Sequence, residues 1–169
     1  MSNPLNASTG LLATLRREVV EHLAADPAFN EAVTIPVMDG GQNSLANAVF
    51  NALTVRGCGL CLVVTAPRVQ PSSETRSIEV QVSVQIYEHP VQNWAEKGAK
   101  RSPEDVGENV IAALQFTQQI GGEVTEGWTP SARWTPFQFE GLRPVFSSSD
   151  QVVFEALFST RTILSAVAA

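Results

Sequence analysis

The longest regular pattern in the sequence is an alternation of apolar and polar residues from 78 to 88. Its apolar positions are Ile78, Val80, Val82, Val84 and Ile86, and the positions between them are Glu79, Gln81, Ser83, Gln85 and Tyr87. A repeat of two places these sets on opposite faces of a β-strand. The pattern therefore predicts a long strand with one face in the core and the other in water or against a polar partner.

Shorter periodicities on either side predict the remaining elements. They indicate helices at 11–25, at about 44–55 and from 103 onward, and strands at 60–66, 138–142 and 151–161, with an extended piece at 35–37 and an apolar tail at 163–169. The strand at 60–66 is apolar on both faces, as is typical of a central strand. Strands in a meander with helices packed on one face give an α+β fold with a single, mainly antiparallel sheet.

Boundary signals support the first and third helices. The first has Ser8 or Thr9 as a cap and Pro27 beyond its end, and its apolar stripe consists of Leu12, Leu15, Val19 and Leu23. The third begins with a capping Ser102, has Pro103 at its first position and Asp105 at the capping-box position, and is stopped by Gly121 and Gly122. Its apolar face consists of Val106, Val110, Ile111 and Leu114.

The composition predicts one soluble domain over residues 1–169, with 44% hydrophobic and 17% charged residues. The N-terminus lacks the features of a secretory signal, and the apolar run at 60–64 is too short to span a bilayer, so we expect synthesis in a cytoplasm without membrane contact. The formal net charge of −6 and the scattered basic residues argue against a nucleic-acid-binding protein.

Residues that could support catalysis or bind a metal are few. Cys58 and Cys61 form a C-x-x-C, but no second ligand pair for zinc accompanies them, and His22 and His89 are the only histidines. Because the motif runs into a strand and does not begin a helix, we expect reduced cysteines in or near the core. The acids at 104–108 are typical of a helix start. We therefore predict no catalytic residue, no cofactor and no metal site, and a protein that is not an enzyme.

Three tryptophans, Trp94, Trp128 and Trp134, fall in predicted loops. Each could fill the edge of the core, or at least one could anchor a protein partner, since tryptophan is enriched at interface hot spots. Asn93 shares the loop of Trp94, and Tyr87 lies on the polar face of the long strand. The candidate interface residues are therefore Trp94, Asn93, Trp128, Trp134 and Tyr87.

The order of the elements resembles the tail terminator (tail-completion, or head-tail joining) proteins of long-tailed bacteriophages and prophages. The resemblance rests on LRREVV at 15–20, LCLVV at 60–64, YEHP at 87–90 followed by Asn93, PEDV at 103–106 with the helix to Leu114, and the late strand from Phe154 to Thr160. It covers most of the chain, although 121–149 is longer and richer in tryptophan and proline than the family pattern.

The resemblance implies a structural role in the virion neck after assembly in the host cytoplasm. Such proteins form a ring, commonly hexameric, that caps the tail tube, stops its growth and meets the head connector, while genome DNA passes through the lumen without specific binding. The expected partners are thus further copies of the chain, a tail tube protein and a head connector protein. The edge strands, the Trp94 loop and the apolar tail are the candidate ring contacts. The alternatives are another head-tail connector or tail-tube component, or a small enzyme or ligand-binding domain with a pocket near Cys58, His89 and the tryptophan loops.

Overall fold

Two twelve-residue strands, paired along their whole length, form the centre of the fold in the computed structural model. The structure describes residues 10–29, 49–51, 53, 58–65, 67–71, 77–115, 117–118, 124–125, 127–131 and 133–163. In chain order, its elements are α1 (Leu11–Ala25), a 3₁₀ turn (Pro27–Phe29), β1 (Leu60–Val64), β2 (Arg68–Pro71), β3 (Ser77–Glu88), α2 (Pro90–Asn93), α3 (Pro103–Gln115), β4 (Thr117–Gln118), β5 (Val124–Thr125), β6 (Gln138–Ser147) and β7 (Val152–Ile163).

The main sheet is antiparallel and has the strand order β1-β3-β7-β6, with β2 paired to the first half of β3. The central pair is β3 and β7, whose register runs from Ser77 opposite Ile163 to Glu88 opposite Val152. Strands β4 and β5 form a separate two-stranded ladder. The α+β class and the mainly antiparallel sheet are confirmed. The expected meander is wrong, because β3 pairs with β7 and not with the strand that follows it in the chain.

The core lies between the sheet and the two long helices. Val80, Val82, Val84 and Ile86 of β3 are fully buried. So are most residues of the two helical stripes, whereas Leu12 and Ile111 are partly buried. The Nε of Arg16 donates to the carbonyl oxygen of Val64 over 2.7 Å, which ties α1 to β1. The burial of such side chains is the main favourable term in folding, at roughly 25 cal/mol per Å² of apolar surface.

A smaller apolar cluster covers part of the opposite face of the sheet. It consists of Val49, Leu53, Cys61 and Val63, with Tyr87 packed against it. This second layer explains why all five residues of β1 are buried. Apolar residues on both faces of this strand are thus confirmed. Among the described residues β1 pairs only with β3 and ends the strand order.

The helix predictions at 11–25 and from 103 are confirmed, and the Oγ of Ser102 accepts a 3.1 Å hydrogen bond from the amide of Asp105. The third helix ends at Gln115, well before Gly121 and Gly122, and the short strand β4 begins at Thr117. Strand β6 continues five residues beyond the predicted 138–142, to Ser147. The N-cap of α1 is Gly10, which makes no side-chain capping hydrogen bond, so the predicted caps Ser8 and Thr9 are wrong. The piece at 35–37, most of the helix at 44–55 and the tail beyond Ile163 lie outside the described residues.

Candidate functional site

The segment that follows β3 forms a compact loop at one end of the sheet, which we call the Trp94 loop (residues 89–101). It begins with the single turn of α2, where the Nδ1 of His89 accepts a 3.3 Å hydrogen bond from the amide of Gln92 and Pro90 occupies the first turn. The amide of Lys100 then donates to the carbonyl oxygen of Asn93 over 2.8 Å and closes the loop. Backbone hydrogen bonds therefore fix the shape of this segment.

A buried carboxylate lies at the base of the loop. The Nδ2 of Asn93 donates to Oε2 of Glu88 over 2.6 Å and to the carbonyl oxygen of Arg101 over 2.7 Å. The Trp94 side chain also hydrogen-bonds to Glu88, and the indole N–H is its donor. Burial raises the pKa of Glu88, an effect that the hydrogen bonds from Asn93 and Trp94 oppose and the nearby charge of Glu104 reinforces. One carboxylate thus orients two adjacent candidate interface residues.

Gly59 allows the loop to lie against the start of β1. Its φ of +73° is in the left-handed region, and a Cβ atom at this position would clash with the amide nitrogen of Asn93. The amide of His89 donates to the carbonyl oxygen of Gly59, and that of Ala99 donates to the carbonyl oxygen of Cys58, each over 2.9 Å. The Trp94 loop is therefore held on the β1 side of the sheet.

Two apolar side chains of this loop are directed to solvent. Trp94 is 57% exposed and Val91 is 66% exposed, although both belong to a tightly hydrogen-bonded segment. Asn93 differs from the expectation for an interface residue, because its side chain is 0% exposed and its amide is used within the chain. In this conformation it can affect a partner only through the loop that it holds.

Tyr87 lies in an apolar row that crosses the mostly polar face of the sheet. The row consists of Cys61, Tyr87, Val153 and Phe146, which are successive cross-strand partners. The Tyr87 hydroxyl donates to Oε1 of Gln85 over 2.7 Å, and burial raises its pKa. Half-buried against the second apolar cluster, Tyr87 joins the buried side of β1 to the exposed Phe146 of β6.

The other two tryptophans pack inside the molecule, away from the Trp94 loop. Trp134 is only 5% exposed and forms an isolated bridge with Thr162. Trp128 is half-buried, stacks on His22 at a ring distance of 4.4 Å and meets Phe137 edge-on. The Nε2 of His22 lies 2.9 Å from the carbonyl oxygen of Ala113, so this nitrogen must donate. These contacts match the core-filling interpretation of both residues.

The structure brings Trp94, Asn93 and Tyr87 to one end of the sheet and adds residues that the sequence pattern did not single out. Glu88 is the clearest of them. The sequence contained a signal for its burial, because Glu88 falls on the same face of the alternating strand as the buried apolar residues that follow Ile78. Val145 and Phe146 also lie at this end, and they are exposed on the edge strand β6, whose register with β7 shifts between Pro144 and Phe146. An irregularity of this kind has no clear sequence signal apart from Pro144.

The chemistry of the described residues offers little for catalysis. They include no group of three or more His, Cys, Asp or Glu side chains placed to hold a metal ion. Cys58 and Cys61 form no disulfide and are buried, as expected, and burial raises the pKa of Cys61 to about 12. Two cavities of about 340 and 400 Å³ lie elsewhere, the first beside Phe137 and Thr160 and the second beside Ser83 and Glu155.

Side chains around the second cavity form a balanced polar surface. The Oγ of Ser83 donates to Oε2 of Glu155 over 2.9 Å, and the guanidinium of Arg143 lies 3.2 Å from Oε1 of the same carboxylate. A second pair joins Arg161 and Glu79 at 3.6 Å. Both acids on this part of the sheet therefore have basic partners, which suits a water-facing surface. Among the described residues, no helix has the length and apolar character needed to cross a bilayer.

Comparison with known proteins finds a similarity of structure. No protein-family model and no curated protein matches the sequence. Among solved structures, the chain is similar to a chain from a structure described as the virion of native gene transfer agent (GTA) particle, with a TM-score of 0.54 and 13% identity. The alignment covers 92% of this chain and 99% of that chain. At this identity the likeness establishes a shared fold.

Proposed function

We propose that this chain is a structural protein of a phage-like virion and, more specifically, a tail terminator. In this role it forms a hexameric ring on the head-proximal end of the tail tube, stops tube growth and meets the head connector. The observation that carries the proposal is the likeness to a virion chain, because the shared fold extends over 92% of this chain and 99% of the other. The strings that resemble tail terminators support the same assignment independently of that comparison.

The Trp94 loop supports a role in assembly. An exposed tryptophan in a backbone-fixed loop loses little conformational freedom when it becomes buried against a partner, and tryptophan is enriched at interface hot spots. The buried Glu88–Asn93 pair keeps this loop in one shape before any partner arrives. We infer that the loop is a preformed contact surface and that Asn93 contributes by holding it.

The proposal is non-enzymatic and assigns no specific site to DNA. The genome passes through the ring, and the net charge of −6 suits a wall that repels the phosphate backbone. If this is correct, the purified protein should not retain duplex DNA in a gel-shift assay even at low salt, where phosphate binding is strongest. Retention that decreases steeply with added salt would contradict this part of the proposal.

The assembly proposal is tested by measuring mass in solution. We expect light scattering across a concentration series to give either a closed oligomer or a monomer that becomes a ring when tail tubes from the same virion are added. Face-on electron micrographs of the particles should show a ring with a central opening. Tubes incubated with the protein should also cease to elongate when tube subunits are supplied.

The contradicting outcome is equally direct. A monomer at every concentration that neither binds tail tubes nor changes their growth would overturn the terminator assignment. Binding to the side of the tube, or incorporation along its length, would instead favour a tail-tube component. A matched control with bovine serum albumin, another acidic protein, distinguishes specific capping from a general charge effect.

A further inference from the structure

Exposed large apolar side chains in the described part of the chain lie mainly along the two opposite edges of the main sheet. One edge carries Val69 of β2 and Val91 and Trp94 of the Trp94 loop, and the other carries Phe139, Val145 and Phe146 of β6; Phe50 alone lies elsewhere. Monomeric proteins rarely leave such side chains grouped in water. The distribution indicates two separate contact surfaces.

The two surfaces lie at the same level along the strands. Glu88, which precedes the Trp94 loop, pairs with Val152, and Val152 pairs with Ser147 at the end of β6. The loop and Phe146 therefore flank the same end of the sheet. A contact between these two different surfaces is heterologous, and it forms a ring when the rotation from one copy to the next closes.

The exposed lysines of the loop and an acid at the end of β6 offer one pair of opposite charges. Residues 94–101 contain the acid Glu96 and three basic residues, of which Lys97 and Lys100 are exposed. The turn between β6 and β7, residues 148–151, contains one charged residue, the exposed Asp150. A second copy of the same chain thus supplies both the apolar and the electrostatic partner for the loop.

The shape of β6 favours side-chain docking over addition of a further strand. Register shifts between Phe139 and Gly141 and between Pro144 and Phe146 interrupt its ladder with β7, and Pro144 has no N–H to donate. Such features prevent indiscriminate pairing at a sheet edge. They leave Val145 and Phe146 as projecting side chains that a neighbour can cover.

We propose that the Trp94 loop of one copy docks on the outer edge of β6 of the next copy, so that Val91 and Trp94 cover Val145 and Phe146 while Lys97 and Lys100 face Asp150. This inference rests on the ring of the proposed function and identifies its subunit contact. The occupant of each surface is therefore the other surface of an identical chain.

A charge-reversal series tests the electrostatic half of this contact. Two variants reverse the charge of one surface each: the double variant Lys97→Glu, Lys100→Glu and the single variant Asp150→Lys. Each should raise the concentration needed for ring formation at least about tenfold, since like charges then face each other. The triple variant should recover most of the loss. Arg133→Glu is the matched control, because Arg133 is exposed and its carbonyl oxygen accepts from Thr162 at the far end of β7; this variant should form rings as the wild type does.

A disulfide experiment tests the apolar half. The double variant Val91→Cys, Phe146→Cys should give a ladder of linked multimers on oxidation, and the ladder should end at the number of subunits in the ring. Within one chain the two positions belong to segments about two strand spacings apart, roughly 10 Å, which is beyond the reach of a disulfide. Rings of wild-type protein without a ladder and without charge rescue would overturn this contact but leave the proposed function intact. Wild-type protein that never forms a ring would overturn both.

Discussion

The carboxylate of Glu88 and the side-chain amide of Asn93 form a 2.6 Å hydrogen bond in the interior, five residues apart across the turn that leads to an exposed tryptophan. Both side chains are buried, so neither has water as an alternative partner. The pair is therefore a structural foundation for the Trp94 loop, and its removal should disturb the loop before it disturbs the rest of the sheet.

Replacement of Asn93 by alanine should destabilise the protein by about 1–3 kcal/mol, because it leaves a buried carboxylate and the Arg101 carbonyl oxygen without this donor. Urea unfolding at pH 7 measures the loss. Gln92→Ala, in the same helical turn, is the matched control and should change the free energy of unfolding by no more than about 0.5 kcal/mol. Equal effects of the two substitutions would contradict the role assigned to Asn93.

The raised pKa of Glu88 predicts a specific pH dependence. Between the ordinary glutamate value of 4.5 and the higher folded value, the folded chain holds a proton that the unfolded chain has lost. The contribution of Glu88 to stability is therefore present at low pH and is lost as pH rises through the folded pKa. Glu88→Gln removes this titration, so the variant should gain stability relative to wild type as pH increases.

Urea unfolding of both proteins from pH 4.5 to pH 8 checks the expectation about Glu88, and the difference between them isolates this carboxyl from Glu18, whose pKa burial also raises. A difference that stays constant, or that falls as pH increases, would show that Glu88 does not titrate as described.

The tryptophans should separate assembly from stability. Trp94→Ala should leave the free energy of unfolding within about 1 kcal/mol of wild type, because the indole is exposed and only one hydrogen bond is lost with it. The same substitution should strongly weaken assembly of the subunit ring. Trp134→Ala should cost about 3–5 kcal/mol, since that ring is buried. Light scattering and urea unfolding on the same samples measure both properties. A Trp94 variant that assembles normally would remove the loop from the contact.

Gly59→Ala should displace the Trp94 loop. The added Cβ would meet the backbone of Asn93, and the left-handed φ alone costs a non-glycine residue about 1–3 kcal/mol. Hydrogen exchange over residues 88–101 should accelerate. Gly141→Ala in β6 is the control, because a Cβ added there would have open space within 4 Å, and exchange in this variant should match wild type.

The cysteines should be unreactive in the folded protein. Cys61 is completely buried and its pKa is raised to about 12, so at pH 8 it is a shielded neutral thiol. Ellman's reagent should react slowly with the native protein and should titrate both Cys58 and Cys61 in denaturant. Rapid modification of native Cys61 would show that β1 opens readily or that its environment differs from the one described.

The residue pattern predicted the elements whose apolar period is regular. The alternation from Ile78 predicted the bounds of β3 almost to the residue, and the stripe of Leu15, Val19 and Leu23 predicted α1. Such patterns are predictive because each buried position requires an apolar residue of its own. The pairing of β3 with β7 was not predictable in this way, since it joins segments more than sixty residues apart and depends on the whole topology. The extent of β6 was missed because its exposed, irregular ladder follows no period.

The candidate site was only partly predictable for a related reason. Loop position identified Trp94, but loop position did not distinguish it from Trp134, whose burial depends on its bridge to Thr162 across the fold. Asn93 was selected as a surface residue, although its polar side chain serves an internal carboxylate. In both cases, contacts made in the folded chain decide whether the side chain is exposed. The partner of Trp134 is distant in sequence, and the partner of Asn93 is a carboxylate, which is unusual in a core.

The late position of β7 also bears on how the protein is made. On the ribosome, β3 and the Trp94 loop emerge long before residues 152–163, and the sheet lacks its central partner until that strand appears. A nascent chain therefore has only one of the two surfaces that we assign to the subunit contact, since β7 is the one strand that pairs with β6 within the described residues. Synthesis itself would then delay self-association until each chain is nearly finished, which would protect a growing polysome from premature crosslinking between neighbouring chains.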